Sequence, residues 1–340
     1  MDSPARVGNT VATLIGAAPD SVVMGDTLSI KVFQALSAGL AMRPDRKVIL
    51  SDNGNFPTDL YMAEGLVALK NAGYELRVVD PEQVASAITS DIAVVMLTEV
   101  DYRTGRRHDM QAITKATHAA GAVSMWDLAH SAGAVDVDLA GANCEFAVGC
   151  TYKYLNGGPG APAFIYIRPD LIAQAEPALS GWLGHTAPFA FDLGYTPAQG
   201  IARMRVGTPP ILQLTALEAA LTVWDGVDMA DIRAASIRLC DLFIEQVEKR
   251  CPDLQLASPR DGAGRGSQVS FMFEQGYAAI QALTDRGVIG DFRAPNIMRF
   301  GFTPLYIDES DVMGAVDIMA DVMNTKAYED PKYHVKAAVT

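Results

Sequence analysis

The stretch Cys150-Thr151-Tyr152-Lys153-Tyr154-Leu155-Asn156-Gly157-Gly158-Pro159-Gly160-Ala161-Pro162 decides how the chain is read. The apolar run Phe146-Ala147-Val148-Gly149 leads into it, and Ala163-Phe164-Ile165-Tyr166-Ile167 leaves it. Two buried strands therefore flank a sharp glycine-proline turn that exposes its backbone. Lys153 stands just past the end of the first strand, between Tyr152 and Tyr154. A lysine drawn out of water there has a lowered pKa and a free amine, which Schiff-base chemistry needs. A strand-end lysine with its ammonium in water fits the same residues. The choice depends on what surrounds it.

Working outward, strands and helices alternate. Val22–Met24, 47–50, 75–80, 92–97 and 122–126 read as strands, and helices are predicted over 3–17, to Ala41, 61–72 and 109–120. That order predicts an α/β fold: a mostly parallel sheet with helices on both faces. In such sheets ligands sit outside the carboxyl ends of the strands. Thr98, Asp127 and Lys153 all fall at predicted strand C-termini, as does the Gly25-Asp26-Thr27-Leu28-Ser29 turn. A strand, a small polar turn and a helix can aim free N–H groups at an anion; Thr27 or Ser29 as a plain helix cap reads equally well. Asn53-Gly54-Asn55-Phe56-Pro57-Thr58-Asp59 is a loop, with Phe56 held extended before Pro57 and Thr58 or Asp59 able to cap the next helix.

Beyond the double proline at 209 and 210, helices are predicted over 212–224, 229–250, 276–286 and 310–325, with strands at 254–257, 268–273 and 296–300. Residues 1–210 form a large domain on this reading, and 211–340 a linking helix and a smaller α+β domain. The last dozen residues are expected to fray.

The bulk composition narrows the function. The chain has 340 residues, 49% of them apolar, with a formal net charge of −13. It is a folded globular protein whose charge disfavours nucleic acid or an anionic membrane as its main partner. The start is not a signal peptide and no apolar run has transmembrane length, so a cytoplasmic protein is expected. Cys144, Cys150, Cys240 and Cys251 show no zinc spacing and read as reduced, partly buried thiols; no metal site is expected.

Pyridoxal phosphate makes a specific set of demands. It takes a lysine for its aldehyde and an acid to keep its ring nitrogen protonated. It also takes donors at a helix start for its phosphate and an aromatic to stack on the ring. Lys153, Asp127, the Leu28-Ser29 turn and Phe56 can supply these in turn, and all lie at one predicted sheet edge. His130, three residues past Asp127, can buttress the acid or the phosphate, or can be a surface histidine.

At this point the residues resemble a known family. Phe56-Pro57-Thr58-Asp59, Trp126 to Gly133, Gly149 to Gly160, Gly181 to His185, Gly207-Thr208-Pro209-Pro210 and Arg299 to Tyr306 are similar to the kynureninases. These are fold-type-I pyridoxal-phosphate enzymes related to the class V aminotransferases, and the likeness runs essentially from end to end. The Tyr-Lys-Tyr-Leu-Asn-Gly-Gly-Pro-Gly run with the Phe-Pro-Thr-Asp loop is its most specific part.

The resemblance implies that Lys153 carries the cofactor, that Asp127 pairs with its ring nitrogen, and that Leu28, Ser29 and Tyr152 hold its phosphate. Phe56 would stack on the ring, with Pro57, Thr58, Asp59 and Thr98 close by and His130 in support. Trp182 and Thr208 would reach the phosphate in a neighbouring subunit, so a homodimer with shared sites is expected. Arg299 would grip the substrate α-carboxylate with two prongs.

The implied reaction is hydrolysis of L-kynurenine, or 3-hydroxykynurenine, to anthranilate or its 3-hydroxy form and L-alanine, in tryptophan degradation or pyridine-nucleotide biosynthesis. Tyr152 would relay a proton. The family carries a segment ahead of the first helix, with residues that contact the substrate ring. It has no counterpart in these 340 residues, so part of the substrate pocket is expected to lie outside them. The other readings of the same fold are a cysteine desulfurase, an aminotransferase, or a non-catalytic homologue. A desulfurase would need a reactive cysteine in a loop of the second domain, whereas Cys240 and Cys251 fall on or just after a predicted helix.

Overall fold

The computed structural model describes residues 2–335. The chain divides into two compact units. One runs to Glu99 and includes His108–Gly226; the other comprises Val100–Arg107 and the chain from Val227 on. The division falls past the 210/211 boundary expected from the double proline. The helix after those prolines packs on the first helix of the chain, and Arg6 pairs with Glu218 at 2.6 Å, which ties it to the first unit. The short segment 100–107 belongs with the second unit because Val100 and Arg107 bridge each other and Arg106 bridges Arg265.

In the first unit the elements are α1 (Ser3–Leu14), β1 (Val22–Met24), α2 (Leu28–Ala41), β2 (Val48–Asp52), α3 (Pro57–Lys70), β3 (Glu75–Val79), the single turn α4 (Val84–Ala87) and β4 (Ile92–Thr98). They continue with α5 (Met110–Ala119), β5 (Val123–Asp127), β6 (Phe146–Gly149), β7 (Phe164–Ile167) and α6 (Ile211–Leu221). The sheet order is β1-β7-β6-β5-β4-β2-β3. The run β3, β2, β4, β5, β6 is parallel throughout, and β7 is antiparallel to both neighbours. The strands β2, β4, β5, β6 and β7 are buried from end to end, as apolar strands covered on both faces must be.

Local chemistry sets the element ends. Pro57 occupies the first turn of α3, its fixed φ already helical, so the helix starts there and not at Tyr61. Thr58 and Asp59 consequently sit inside the first turn; neither caps the helix, and the N-cap is Phe56. Gly149 faces Phe164 across the β6–β7 pair, where an added Cβ would lie 2.4 Å from the Phe164 ring. Only glycine lets the two strands flanking the lysine turn close at that point.

In the second unit the elements are α7 (Met229–Arg250), β8 (Gln255–Leu256), β9 (Gln268–Met272), α8 (Gly276–Thr284), β10 (Asp291–Arg293), β11 (Ile297–Gly301) and α9 (Glu309–Asn324). Its strands form an antiparallel sheet, β10-β11-β9-β8. Phe243, Phe271, Phe300 and Phe302 pack around α7, with Val316 and Met319 of α9 in the same core. The strand β10 has no apolar alternation and was not foreseen. The expected fraying of the C-terminus is corrected as far as Val335: Pro331–His334 form a turn and Tyr333 is buried. The rest of that tail lies outside the described residues.

Candidate active site

Three consecutive strand ends build the site. Thr98 closes β4 and pairs in register with Asp127, which closes β5; Lys153 follows β6 in the adjoining turn. The segment after Asp127 folds back under the lysine turn. Gly133, at φ 80°, approaches the Tyr154 carbonyl so closely that a Cβ would stand 2.9 Å from its oxygen. This close approach brings His130 to the lysine: His130 Nε2 lies 2.9 Å from Lys153 Nζ, and both groups are shielded from bulk water. The surface-histidine reading of His130 is thereby corrected, since its side chain is buried.

Asp127 is buried. Its Oδ1 accepts from the Ala129 N–H at 2.9 Å, while Oδ2 meets no donor among the described residues. Burial pushes its carboxyl up to about 6, and Lys153, the Ala129 N–H and Asp59 pull the other way. Asp59, from the first turn of α3, is also buried with neither oxygen given a donor. Burial, then the charge of Asp127, raises Asp59 well above the carboxylate range. Each carboxyl bears on the pKa of the other, so the two form one acidic pair beside Lys153.

Phe56 is 38% exposed, with its ring centroid 6.0 Å from Lys153 Nζ. It is held by its own amide, which donates to Asn55 Oδ1 at 2.8 Å, and is therefore not a core residue. The half-exposed Tyr152 ring lies 5.6 Å from the same ammonium. Burial of the phenol, then Cys150, raises the Tyr152 pKa and keeps its proton in place.

The α2 start carries no side-chain cap. Thr27 occupies the N-cap with an extended backbone but makes no such bond, which corrects the plain-cap reading. The N–H groups of Leu28 and Ser29 belong to the first turn, where a helix offers no acceptors of its own. Sequence reasoning missed the residue that holds this turn. Lys31 is fully buried, and its ammonium donates to Asp26 Oδ2 at 3.2 Å, Gln34 Oε1 at 3.0 Å and the Met204 carbonyl at 3.1 Å. The Asp26–Lys31 pair was its only local signal, and a separation of five is not one at which helix side chains ordinarily meet.

Trp182 and Thr208 are both exposed residues of the first unit. Trp182 stacks edge-on with Phe189 at 5.7 Å. Arg299 sits on β11 in the second unit, with Asp291 as its cross-strand partner. Cys144, Cys150, Cys240 and Cys251 are all buried and free, and burial pushes the Cys240 and Cys144 thiols up to about 12. Among the described residues no helix is long and apolar enough to cross a membrane.

Comparison with known proteins locates this arrangement. Residues 232–319 match the family model described as the kynureninase C-terminal domain. A kynureninase of Pseudomonas fluorescens is 52% identical over 346 residues, covering 100% of this chain and 83% of its own length. A kynureninase of Burkholderia mallei is 49% identical over 344 residues, covering 99% and 83%. Among solved structures, the apo cysteine desulfurase of Thermococcus onnurineus superposes with a TM-score of 0.80 at 18% identity, covering 95% of this chain and 84% of that one. A C-DES variant with glycine covalently linked to its PLP cofactor gives 0.78 at 17% identity, covering 94% and 86%.

Proposed function

The chain belongs to the kynureninase family, and on that premise we propose how its own residues carry out the hydrolysis of L-kynurenine to anthranilate and L-alanine. The fold is that of the fold-type-I pyridoxal-phosphate enzymes, and the family's cofactor is pyridoxal phosphate. The residues present fit that group. Asp127 Oδ2 is a buried acceptor without a donor, which a protonated ring nitrogen satisfies. The uncapped start of α2 suits a phosphate, and the half-exposed Phe56 ring beside Lys153 suits a planar ring.

When bound, the cofactor supplies an electron sink for charge developing at the substrate α-carbon. Lys153 would hold it and would take the α-proton of the substrate. His130 hydrogen-bonds to Nζ and fixes where the amine points. Asp127 keeps the ring nitrogen protonated, and Asp59 sets the proton count of that carboxyl. Pro57 and Thr58 start the helix that carries Asp59, and Thr98 borders Asp127 on the neighbouring strand. Leu28, Ser29 and Tyr152 hold the phosphate, with Tyr152 also delivering a proton. Water adds to the γ-carbonyl and the Cβ–Cγ bond breaks; the carboxyl stays with the aromatic product, and the Cβ of alanine receives a proton. Arg299 grips the α-carboxylate. 3-Hydroxykynurenine is accommodated by the same chemistry, since its extra hydroxyl is remote from the broken bond.

Trp182 and Thr208 serve the phosphate of a second copy. Supporting this, Phe189, Phe191, Leu193, Ile211 and Leu212 are large apolar side chains exposed on the same unit, a pattern of surfaces that associate. Four free buried thiols suit a reducing cytoplasm. The desulfurase reading lacks its nucleophile, because the cysteines are buried and the Cys240 thiol is held at about 12.

The observation that carries this reading is the Lys153–His130–Asp127–Asp59 cluster at one sheet edge, its histidine and both carboxyls buried. It is tested by recording the visible spectrum with added pyridoxal phosphate and then adding L-kynurenine. A lysine-dependent band and fluorescent anthranilate are expected. A band that persists in Lys153→Ala, or no anthranilate from the wild-type chain, refutes it.

A further inference from the structure

Arg299 does not stand alone in the second unit. In the β10–β11 pair it lies directly opposite Asp291. Arg299 Nε donates to Asp291 Oδ1 at 2.9 Å and Nη2 to Oδ2 at 2.5 Å, a side-on two-pronged clamp. Nη1 donates to the Tyr102 carbonyl at 2.5 Å. The guanidinium is nearly buried, with 11% of the side chain exposed against 28% for Asp291. Arg293, two residues along β10 and on the same face, also reaches Asp291 Oδ2, at 3.1 Å. Two cations therefore share one carboxylate. Burial, then the charge of Arg299, lowers the Arg293 pKa, against the opposing charge of Asp291.

A guanidinium has five N–H donors in a rigid plane. Asp291 and Tyr102 take three of Arg299's, one on each nitrogen. One N–H remains on Nη1 and one on Nη2. A pair of donors on the two terminal nitrogens is what grips a carboxylate. Asp291 takes the Nε–Nη2 edge and not the terminal one, and the clamp removes the torsional freedom of a long side chain.

We propose that Asp291 is a positioning residue for substrate binding: it locks the Arg299 guanidinium so that the terminal nitrogens are presented to the α-carboxylate of the amino-acid substrate. The proposal rests on the assignment of Arg299 above. Holding the plane in advance removes an ordering cost that binding would otherwise bear.

Wild-type turnover of L-kynurenine is measured first, with Arg299→Ala beside it. A wild type without turnover, or Arg299→Ala with an unaltered KM, overturns the function or the arginine assignment, and the present inference with it. Given both, Asp291→Ala is expected to raise the KM for L-kynurenine by about tenfold or more, as loss of charge-assisted hydrogen bonds does. Its kcat should fall much less, and its cofactor titration, read from the visible band, should match wild type. Asp291→Asn, which keeps the shape and one acceptor, should fall between. The decisive readout is the double variant: Asp291→Ala should add nothing to Arg299→Ala, because Asp291 acts only through that arginine. The preference for L-kynurenine over its carboxamide should shrink in Asp291→Ala. An unchanged or lowered KM in Asp291→Ala, or additive effects in the double variant, overturns the proposal.

Discussion

Lys153 Nζ and His130 Nε2 lie 2.9 Å apart, although 23 residues separate them in the chain. The contact joins the lysine nitrogen to an imidazole nitrogen that can accept or donate according to its tautomer. His130→Phe removes that partner and leaves Lys153 without a fixed direction. A loss in kcat of about tenfold to a hundredfold is expected, with His130→Gln less impaired because its amide oxygen can still accept. Stopped-flow decay of the lysine-dependent band on adding substrate measures it; equal rates in the wild type and His130→Phe would remove His130 from the site.

The acidic pair predicts a pH dependence of stability in the cofactor-free protein. Burial raises Asp127 from an ordinary 3.8 to about 6, and Asp59 is raised in the same direction. Below the lower value both folded and unfolded chains hold these protons. As pH rises toward 6 the unfolded chain releases its protons first, so unfolding is favoured and stability declines across that window. Urea melts at pH 4.5 and 6.5 should show the decline, and Asp127→Asn should flatten it. Cofactor should weaken it as well, by giving Asp127 a cationic partner. A folded state that gains stability over this interval in cofactor-free protein would contradict the assignment.

Lys31 ties the turn before α2 to the Met204 carbonyl, 173 residues away in the chain. Lys31→Met keeps the volume and takes a donor from Asp26, Gln34 Oε1 and the Met204 carbonyl, the last of which still accepts from Gln34 Nε2 at 3.2 Å. A loss of about 1–3 kcal/mol is expected, since buried acceptors lose a donor while Asp26 stays in reach of water. Cofactor affinity should fall with it, because the same turn presents Leu28 and Ser29. Denaturation midpoints and a titration of apoprotein with pyridoxal phosphate read the two effects separately, and unchanged values for both would make the tether inconsequential.

The exposed apolar side chains of the first unit, Phe189 and Phe191 beside Trp182 and Leu212 on α6, are a testable feature. Phe191→Asp with Leu212→Asp should leave each folded unit intact, because both side chains are exposed. If these side chains join two copies, sedimentation should report a monomer where the wild type is a dimer, with activity lost alongside. A dimer persisting in the double variant would place the interface elsewhere.

Much of the site was legible before the fold was known, and the reasons are local. Gly-Gly-Pro-Gly after an apolar tetrad can only be a turn at a strand end, so Lys153 was placed there correctly. Asp127 and Thr98 were found the same way, since a polar residue closing an apolar run marks a strand terminus. The start of α3 was misjudged because the helix signal at Pro57 was read as loop. The strand β10 was missed because three polar-flanked residues between Gly290 and Pro295 show no period.

What the sequence determined by itself is therefore the alternation of strands and helices, the turn that carries Lys153, and the family resemblance. All of these follow from residues close together in the chain. Which charged groups meet was decided by the tertiary structure. Asp59 reaches Asp127, His130 reaches Lys153, Lys31 reaches Met204 and Asp291 locks Arg299. Each pairing depends on strand order and on the exclusion of water. In the extended chain these groups are solvated separately and their charges are screened. Only when the packed sheet removes that solvent must every buried polar atom find a specific partner.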